Sequence, residues 1–326
     1  MREKDYDISR TILKCEALLR RITPNHPTKP DVTEKLRTKK AGEKGERSLE
    51  FHLSMLSDSR YHIFNGLRLK LGKYFFQIDT FILSPSFGFS LESKNRSGEI
   101  TYKKDFNQVF CKKNGVEERI KNPILQARLQ IIKLQKWLKE HNCPDIPLQY
   151  FVVNTNEKTI IRLESRDDRI VHHLCNSECL MDKIEQLAGY YKTDKLSDKD
   201  IKKIKRLLLT NHTPEDPDIL QMFHLTPMDV LTGVQCPECF FLAMVYKNGI
   251  WCCPRCEANS KTAHIQAIHD YFLLIKPTIT NSELRAFLHL NSIHVARKIL
   301  KSMKLPYTGK FKDRVYHQPP YIFSKK

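Results

Sequence analysis

Several things are scarce in this 326-residue sequence, and each scarcity closes off a class of protein. No apolar run approaches the roughly 18 to 20 residues of a membrane-crossing helix, and Met1-Arg2-Glu3-Lys4-Asp5 is not followed by the apolar core of a signal peptide. A cytosolic (cytoplasmic) protein with no membrane partner is expected. Acid is in short supply: 37 Asp and Glu stand against 55 Lys and Arg, a formal charge of +18. A surplus of that size favours a polyanionic partner, DNA or RNA, with an anionic membrane surface as the rival. There is no disulfide framework either. Of ten cysteines, five crowd between Cys236 and Cys256 and the rest are scattered, a pattern that in a reducing compartment indicates a bound metal. The length predicts two or more domains.

What is present is organised around residues 77 to 94. Gln77-Ile78-Asp79-Thr80-Phe81-Ile82-Leu83, a Ser84-Pro85-Ser86 break, and Gly88-Phe89-Ser90-Leu91-Glu92-Ser93-Lys94 read as a β-hairpin, since β-branched and aromatic residues dominate both halves. The period of two puts Glu92 and Lys94 on one face of the second strand with Ser93 pointing away, and Asp79 on the partner strand is placed to converge with them. An uncompensated buried charge costs several kcal/mol, roughly, so such acids and a lysine should pair, bind a metal or do chemistry.

An Asp followed by a short loop and Glu-x-Lys resembles the signature of the PD-(D/E)xK nucleases. The surrounding words, Gly45-Glu46, Tyr61-His62-Ile63-Phe64-Asn65, Gln77-Ile78-Asp79, Glu92-Ser93-Lys94-Asn95, Gly98-Glu99-Ile100 and Asn122-Pro123 with Gln126, are similar to the nuclease-related domain, NERD, over about residues 40 to 140. Ile78 stands where the superfamily name has proline. The resemblance implies a mixed α/β sheet flanked by helices, a restriction-endonuclease-like core. It also implies Mg²⁺ or Mn²⁺ held by Asp79, Glu92 and the Ser93 carbonyl, with Lys94 beside the attacking water and Gln126 and Glu46 supporting the site. An ordinary first-turn acid is the competing account of Glu46, and Glu43 and Glu50 offer alternative registers.

Around this centre, residues 5 to 21 predict a leading helix, and the prolines at 24, 27 and 30 with the basic run Lys35 to Lys44 predict a solvated linker. Gly42 to Ser57 reads as a helix with Leu49, Leu53 and Leu56 as its apolar stripe. Four strands follow between Tyr61 and Lys103, then a short pair turning at Asn114-Gly115. Asn122-Pro123 opens a long helix to about His141, with Ile124, Leu125, Ile131, Leu134 and Leu138 directed at the sheet. Ile146 to Asn154 reads as a buried strand, and Thr159 to Leu163 and Ile170 to Leu174 as short ones. Ser177 to Tyr191 and Ser197 to Thr210 read as helices, and Asn211 to Pro217 as a domain exit.

Beyond residue 230 the character changes. Cys236-Pro-Glu-Cys239 and Cys253-Pro-Arg-Cys256, bracketing an aromatic segment with an Asn248-Gly249 turn, have the spacing of a zinc ribbon in which four thiolates close a tetrahedral shell. Helices at Thr262 to Leu274, Ser282 to Leu288 and Ile293 to Met303 form a helix-turn-helix pattern, followed by a basic hairpin, Lys310 to His317, as a wing. Arg297, Lys298, Lys301, Lys310, Lys312 and Arg314 are the candidate phosphate contacts, and a helical module that merely packs on the ribbon is the plainer alternative. The expected segments are 1–40 (helix and linker), 41–210 (nuclease-like), 211–232 (linker), 233–258 (ribbon) and 259–326 (helical module). Taken together the sequence predicts a metal-dependent deoxyribonuclease targeted by its tail; the alternatives are a non-catalytic DNA-binding scaffold and a transcription regulator.

Overall fold

The computed structural model describes residues 1–165 and 167–319. In chain order it contains β1 (Arg2–Lys4), α1 (Arg10–Arg21), α2 (Lys29–Ser48), α3 (Glu50–Leu53), β2 (His62–Leu71), β3 (Tyr74–Leu83), β4 (Gly88–Lys94), β5 (Gly98–Lys103), β6 (Gln108–Lys113), β7 (Val116–Ile120) and α4 (Pro123–Glu140). Then come β8 (Leu148–Asn154), β9 (Thr159–Leu163), α5 (Asp168–His173), β10 (Leu174–Asn176), α6 (Leu180–Tyr190) and α7 (Asp198–Asn211). The remainder is α8 (Ile219–Met222), β11 (Val234–Gln235), β12 (Leu242–Lys247), β13 (Ile250–Cys252), β14 (Asn259–Ser260), α9 (Ala263–Leu274), β15 (Thr278–Thr280), α10 (Asn281–Leu288), α11 (Ile293–Ser302), β16 (Tyr307–Thr308) and β17 (Val315–His317). The chain divides into two compact units, one of Met1–Asp7 with Lys40–Pro214 and one of Ile8–Lys39 with Glu215–Lys326. Among the described residues no helix is long and apolar enough to cross a membrane.

The first unit is built on a mixed six-stranded sheet in the order β1-β2-β3-β4-β8-β10, antiparallel through β2, β3 and β4 and parallel at β4, β8 and β10. Parallel strands need both faces covered, and they are. Ile131, Leu134 and Trp137 of α4 and Ile201, Ile204 and Leu208 of α7 fill one face. Leu49, Leu53 and α6, through Leu180, Ile184 and Leu187, fill the other. A second sheet, β7-β6-β5-β9, flanks the first and shares a small core with Ile124 and Val152. The expected mixed sheet flanked by helices is therefore the observed architecture.

Some local expectations fail for physical reasons. The basic run Lys35 to Lys44 is helix rather than linker, because it lies in α2 among good helix formers tied by Glu34–Arg37 and Glu43–Arg47 pairs. Ile170 to His173 belongs to α5, opened by the Asp167 side chain accepting from the Arg169 amide, so only Leu174 joins a strand. Leu125 is 44 % exposed, and Ala127 and Trp137 bury in its place on α4. The Asn122 cap and the Ser197–Asp200 capping box form as expected.

The second unit has one hydrophobic core where the sequence suggested separate segments. Leu18 of α1, Trp251 of the ribbon and Ile268, Leu284 and Leu300 of the helical module belong to the same cluster. A buried ion pair staples it: Arg21 Nε lies 2.8 Å from Asp270 Oδ2 with both side chains 1 % exposed, and Arg21 also donates to the Gly233 carbonyl at 2.6 Å. Helix α9, strand β15, helices α10 and α11 and strands β16 and β17 follow, with β15, β17 and β16 forming an antiparallel sheet.

Candidate metal and active sites

Side chains along β2 and β3 do not alternate evenly. On β2 the core facing α4 takes Phe64, then Leu67 and Leu69; on β3 it takes Phe76 and Ile78, then Phe81 and Leu83. Each strand makes one three-residue step while the pairing register stays continuous, Asn65 opposite Thr80 and Leu67 opposite Ile78. The slip falls at Gly66 and Asp79, and Gly66 takes φ +59°, a conformation that disfavours any side chain with a Cβ. Sequence alternation alone missed this, although an isolated glycine inside a strand pattern is the available signal.

Beside the slip, the Asp79 carboxylate Oδ2 accepts from the Ser93 amide at 3.1 Å. Glu92 is 4 % exposed, and its Oε1 accepts from Lys94 Nζ at 2.5 Å and from Gln126 Nε2 at 2.6 Å. Lys94 Nζ also lies 3.5 Å from Gln126 Oε1. Gln126 stands in the first turn of α4, where the Asn122 side chain caps the helix by accepting from the Ile124 and Leu125 amides. Burial, then the neighbouring Asp79 charge, pushes the Glu92 carboxyl up from 4.5 to about 7, against the pull of Lys94. A carboxylate whose proton affinity is raised by a neighbouring acid belongs to an oxygen donor set suited to a hard divalent cation.

Helix α2 approaches the ends of β4 and β8 at Gly45. A Cβ there would lie 2.6 Å from Asn95 Cβ and 2.9 Å from Thr155 Oγ1, so only glycine allows the contact, which the Asn95 side chain extends by donating to the Ala41 carbonyl at 2.9 Å. Of the three helix acids, Glu43 is 2.7 Å from Arg47 and Glu50 is 3.9 Å from Arg2. The Glu46 carbonyl accepts from Tyr6 at 2.9 Å. The Tyr6 phenol is pushed up to about 12, chiefly by burial and further by the charges of Glu46, Glu50 and Asp79. Nothing in the sequence singled out Tyr6, because β1 and the residues after it meet this site only through the sheet.

In the second unit the four sulfurs of Cys236, Cys239, Cys253 and Cys256 lie within 4.8 Å of one another, with Cys236–Cys256 at 3.7 Å and Cys239–Cys253 at 3.6 Å. A tetrahedron with zinc–sulfur bonds of about 2.3 Å has edges close to those separations, so the cluster fits zinc. The two knuckles match: Phe240 and Glu257 take left-handed φ after the second cysteine of each, and their amides donate to the Cys236 and Cys253 carbonyls at 3.1 and 3.0 Å. The Asn248-Gly249 turn, both residues at positive φ, joins β12 to β13.

On the C-terminal helical module Arg297, Lys298, Lys301, Lys310 and Lys312 are exposed. Arg314 is different, half-buried with its guanidinium 4.2 Å over the Tyr307 ring. Ser292 is occupied as the N-cap of α11, accepting from the Val295 amide.

The family model described as NERD, nuclease-related domain, matches residues 41–155. That span contains Glu46, Asp79, Glu92, Ser93, Lys94 and Gln126. No curated protein and no solved structure matches the chain.

Proposed function

We propose that the nuclease-related domain hydrolyses phosphodiester bonds of DNA at Asp79, Glu92 and Lys94, and that the second unit adds affinity for DNA. The observation that carries this reading is the Glu92–Lys94–Gln126 contact set beside Asp79, at the point where β3 and β2 slip phase. Asp79, Glu92 and the Ser93 carbonyl would hold Mg²⁺ or Mn²⁺, which when bound polarises a phosphoryl oxygen and lowers the pKa of a coordinated water. Lys94 would place its amino group beside the attacking oxygen, and Gln126 with Lys94 holds Oε1 of Glu92, which would leave the other carboxylate oxygen to the cation. Glu46 on α2 is the third acid assigned to the site, ahead of Glu43 and Glu50, because the close seat at Gly45 fixes its position.

Cys236, Cys239, Cys253 and Cys256 would hold a structural zinc, closed to water. Arg297, Lys298 and Lys301 on α11 and Lys310 and Lys312 on the wing supply phosphate contacts, with Arg314 holding the wing against Tyr307.

The test is cleavage of plasmid, single-stranded DNA and RNA with Mg²⁺ or Mn²⁺, with Asp79→Ala as control. Cleavage by the wild type that vanishes in the variant supports the enzyme. Wild-type protein that cuts no substrate but still binds DNA would establish the scaffold reading. Replacing Arg297, Lys298 or Lys301 by Ala in the full chain should flatten the slope of log affinity against log salt by about one for each phosphate contact removed.

A further inference from the structure

A cleft of about 410 Å³ opens in the first unit beside the acidic site and shares Lys94 and Gln126 with it. Its floor is apolar: Ile100, Tyr102, Ile120, Ile161 and Leu174. Its rim carries the exposed cations Arg96, Arg119 and Lys121 together with Glu118, which pairs with Arg96 at 2.7 Å. The volume lies in the range of about 300 to 1,000 Å³ typical of pockets that hold small organic groups. Tyr102 is 97 % buried by its 3 % exposure, lines this cleft, and its hydroxyl makes no hydrogen bond to any described residue. The hydroxyl is not sealed off, so it remains available in the cleft as a donor to water or to an occupant. Burial alone pushes that phenol far above its ordinary value of 10, so it stays a neutral donor at any working pH.

We propose that this cleft receives one unstacked nucleobase of the substrate strand next to the phosphate under attack, so that the enzyme acts on single-stranded or frayed nucleic acid. The inference rests on the nuclease reading of the adjacent site. An apolar floor suits the π-face of any base, the Tyr102 hydroxyl offers one hydrogen bond to its edge, and Arg119 and Lys121 on the rim suit the flanking phosphates. Because the cleft shares Lys94 and Gln126 with the acidic site, an occupant and a phosphate at Glu92 belong to neighbouring positions of one strand. A base held in a duplex stack cannot present its face to such a floor until it leaves the stack.

The experiment uses the full chain carrying Asp79→Asn to prevent turnover. Fluorescent single-stranded octamers are titrated, one intact and eight with a single abasic residue stepped along the strand, beside the matching duplex. One abasic position should weaken binding by about ten-fold and its neighbours far less. Adding Ile161→Trp, which fills the cleft without changing charge, should bring the intact strand down to that abasic level and abolish the discrimination; Leu174→Phe serves if the tryptophan variant melts. In addition, 5-iododeoxyuridine placed at the sensitive position should photocrosslink to the Tyr102 or Leu174 peptide. Equal binding of all abasic strands, undiminished discrimination in the filled variants, or crosslinks elsewhere would overturn the proposal. Wild-type cleavage measured in parallel separates the two readings. Cutting without abasic discrimination removes the base pocket alone, and discrimination without cutting removes catalysis alone.

Discussion

Replacing Glu92 by Gln should make the magnesium-free protein more stable while destroying its activity. Glu92 is 4 % exposed, and its carboxyl is carried from an ordinary 4.5 to about 7 by burial and by Asp79. Each pKa step of one corresponds to about 1.4 kcal/mol, so holding this group ionised in the fold costs roughly 3 kcal/mol. The sign follows from proton binding: between 4.5 and 7 the folded state binds more protons than the unfolded one, so stability falls as pH rises through that window. Gln is the neutral isostere, and its Oε1 can still accept from Lys94 and Gln126. At pH 8 the variant should therefore gain up to about 3 kcal/mol, or roughly 6 to 12 °C in the melting of a unit this size. At pH 4.5 the gain should nearly vanish. Thermal unfolding followed by circular dichroism across pH, in chelator-free buffer lacking magnesium and manganese, measures it. Adding Mg²⁺ should stabilise the wild type and leave the variant nearly unmoved, and nuclease assays should find the variant inactive. A variant less stable than wild type at pH 8, or a gain that does not change with pH, would refute the reasoning.

Removing zinc with a strong chelator, or Cys253→Ser, should unfold the second unit, because Cys236 and Cys253 are part of its shared core; metal analysis and limited proteolysis report both the loss and the survival of the first unit. Gly45→Ala should cost about 1 to 3 kcal/mol, since its Cβ would sit 2.6 Å from Asn95 Cβ, and should lower cleavage by lifting Glu46 from the site. Asp270→Ala should cost about 3 to 5 kcal/mol by leaving Arg21 charged and buried, whereas the double change Arg21→Met with Asp270→Leu should recover most of it in denaturant unfolding.

Much of the local architecture was legible in the residues themselves. Asn122-Pro123 and Ser197 with Asp200 start their helices where cap chemistry requires, Asn248-Gly249 turns its hairpin, and the two Cys-x-x-Cys pairs meet as their spacing demands. These signals are short-range, and the physics that sets them acts within a few residues. The same holds for Glu92 and Lys94, whose shared face follows from the period of a single strand.

Where the chain meets itself across long separations, the sequence was silent. The Tyr6 phenol reaches the Glu46 carbonyl across forty residues only because β1 joins the sheet beside β2. Helix α1 shares a core with the ribbon and the helical module, so the stretch read as a leading helix and linker belongs, from Ile8 to Lys39, to the second unit. The phase slip at Asp79 depends on two strands changing step together opposite Gly66. The cleft beside Lys94 exists because β5, β7, β9 and β10 arrive from four places in the chain to wall it. Residue pattern determined the elements, the acid–lysine face and the four-thiol cluster; the closure of those elements on one another decided which acids are buried together, because burial and mutual charge are properties of the packed chain.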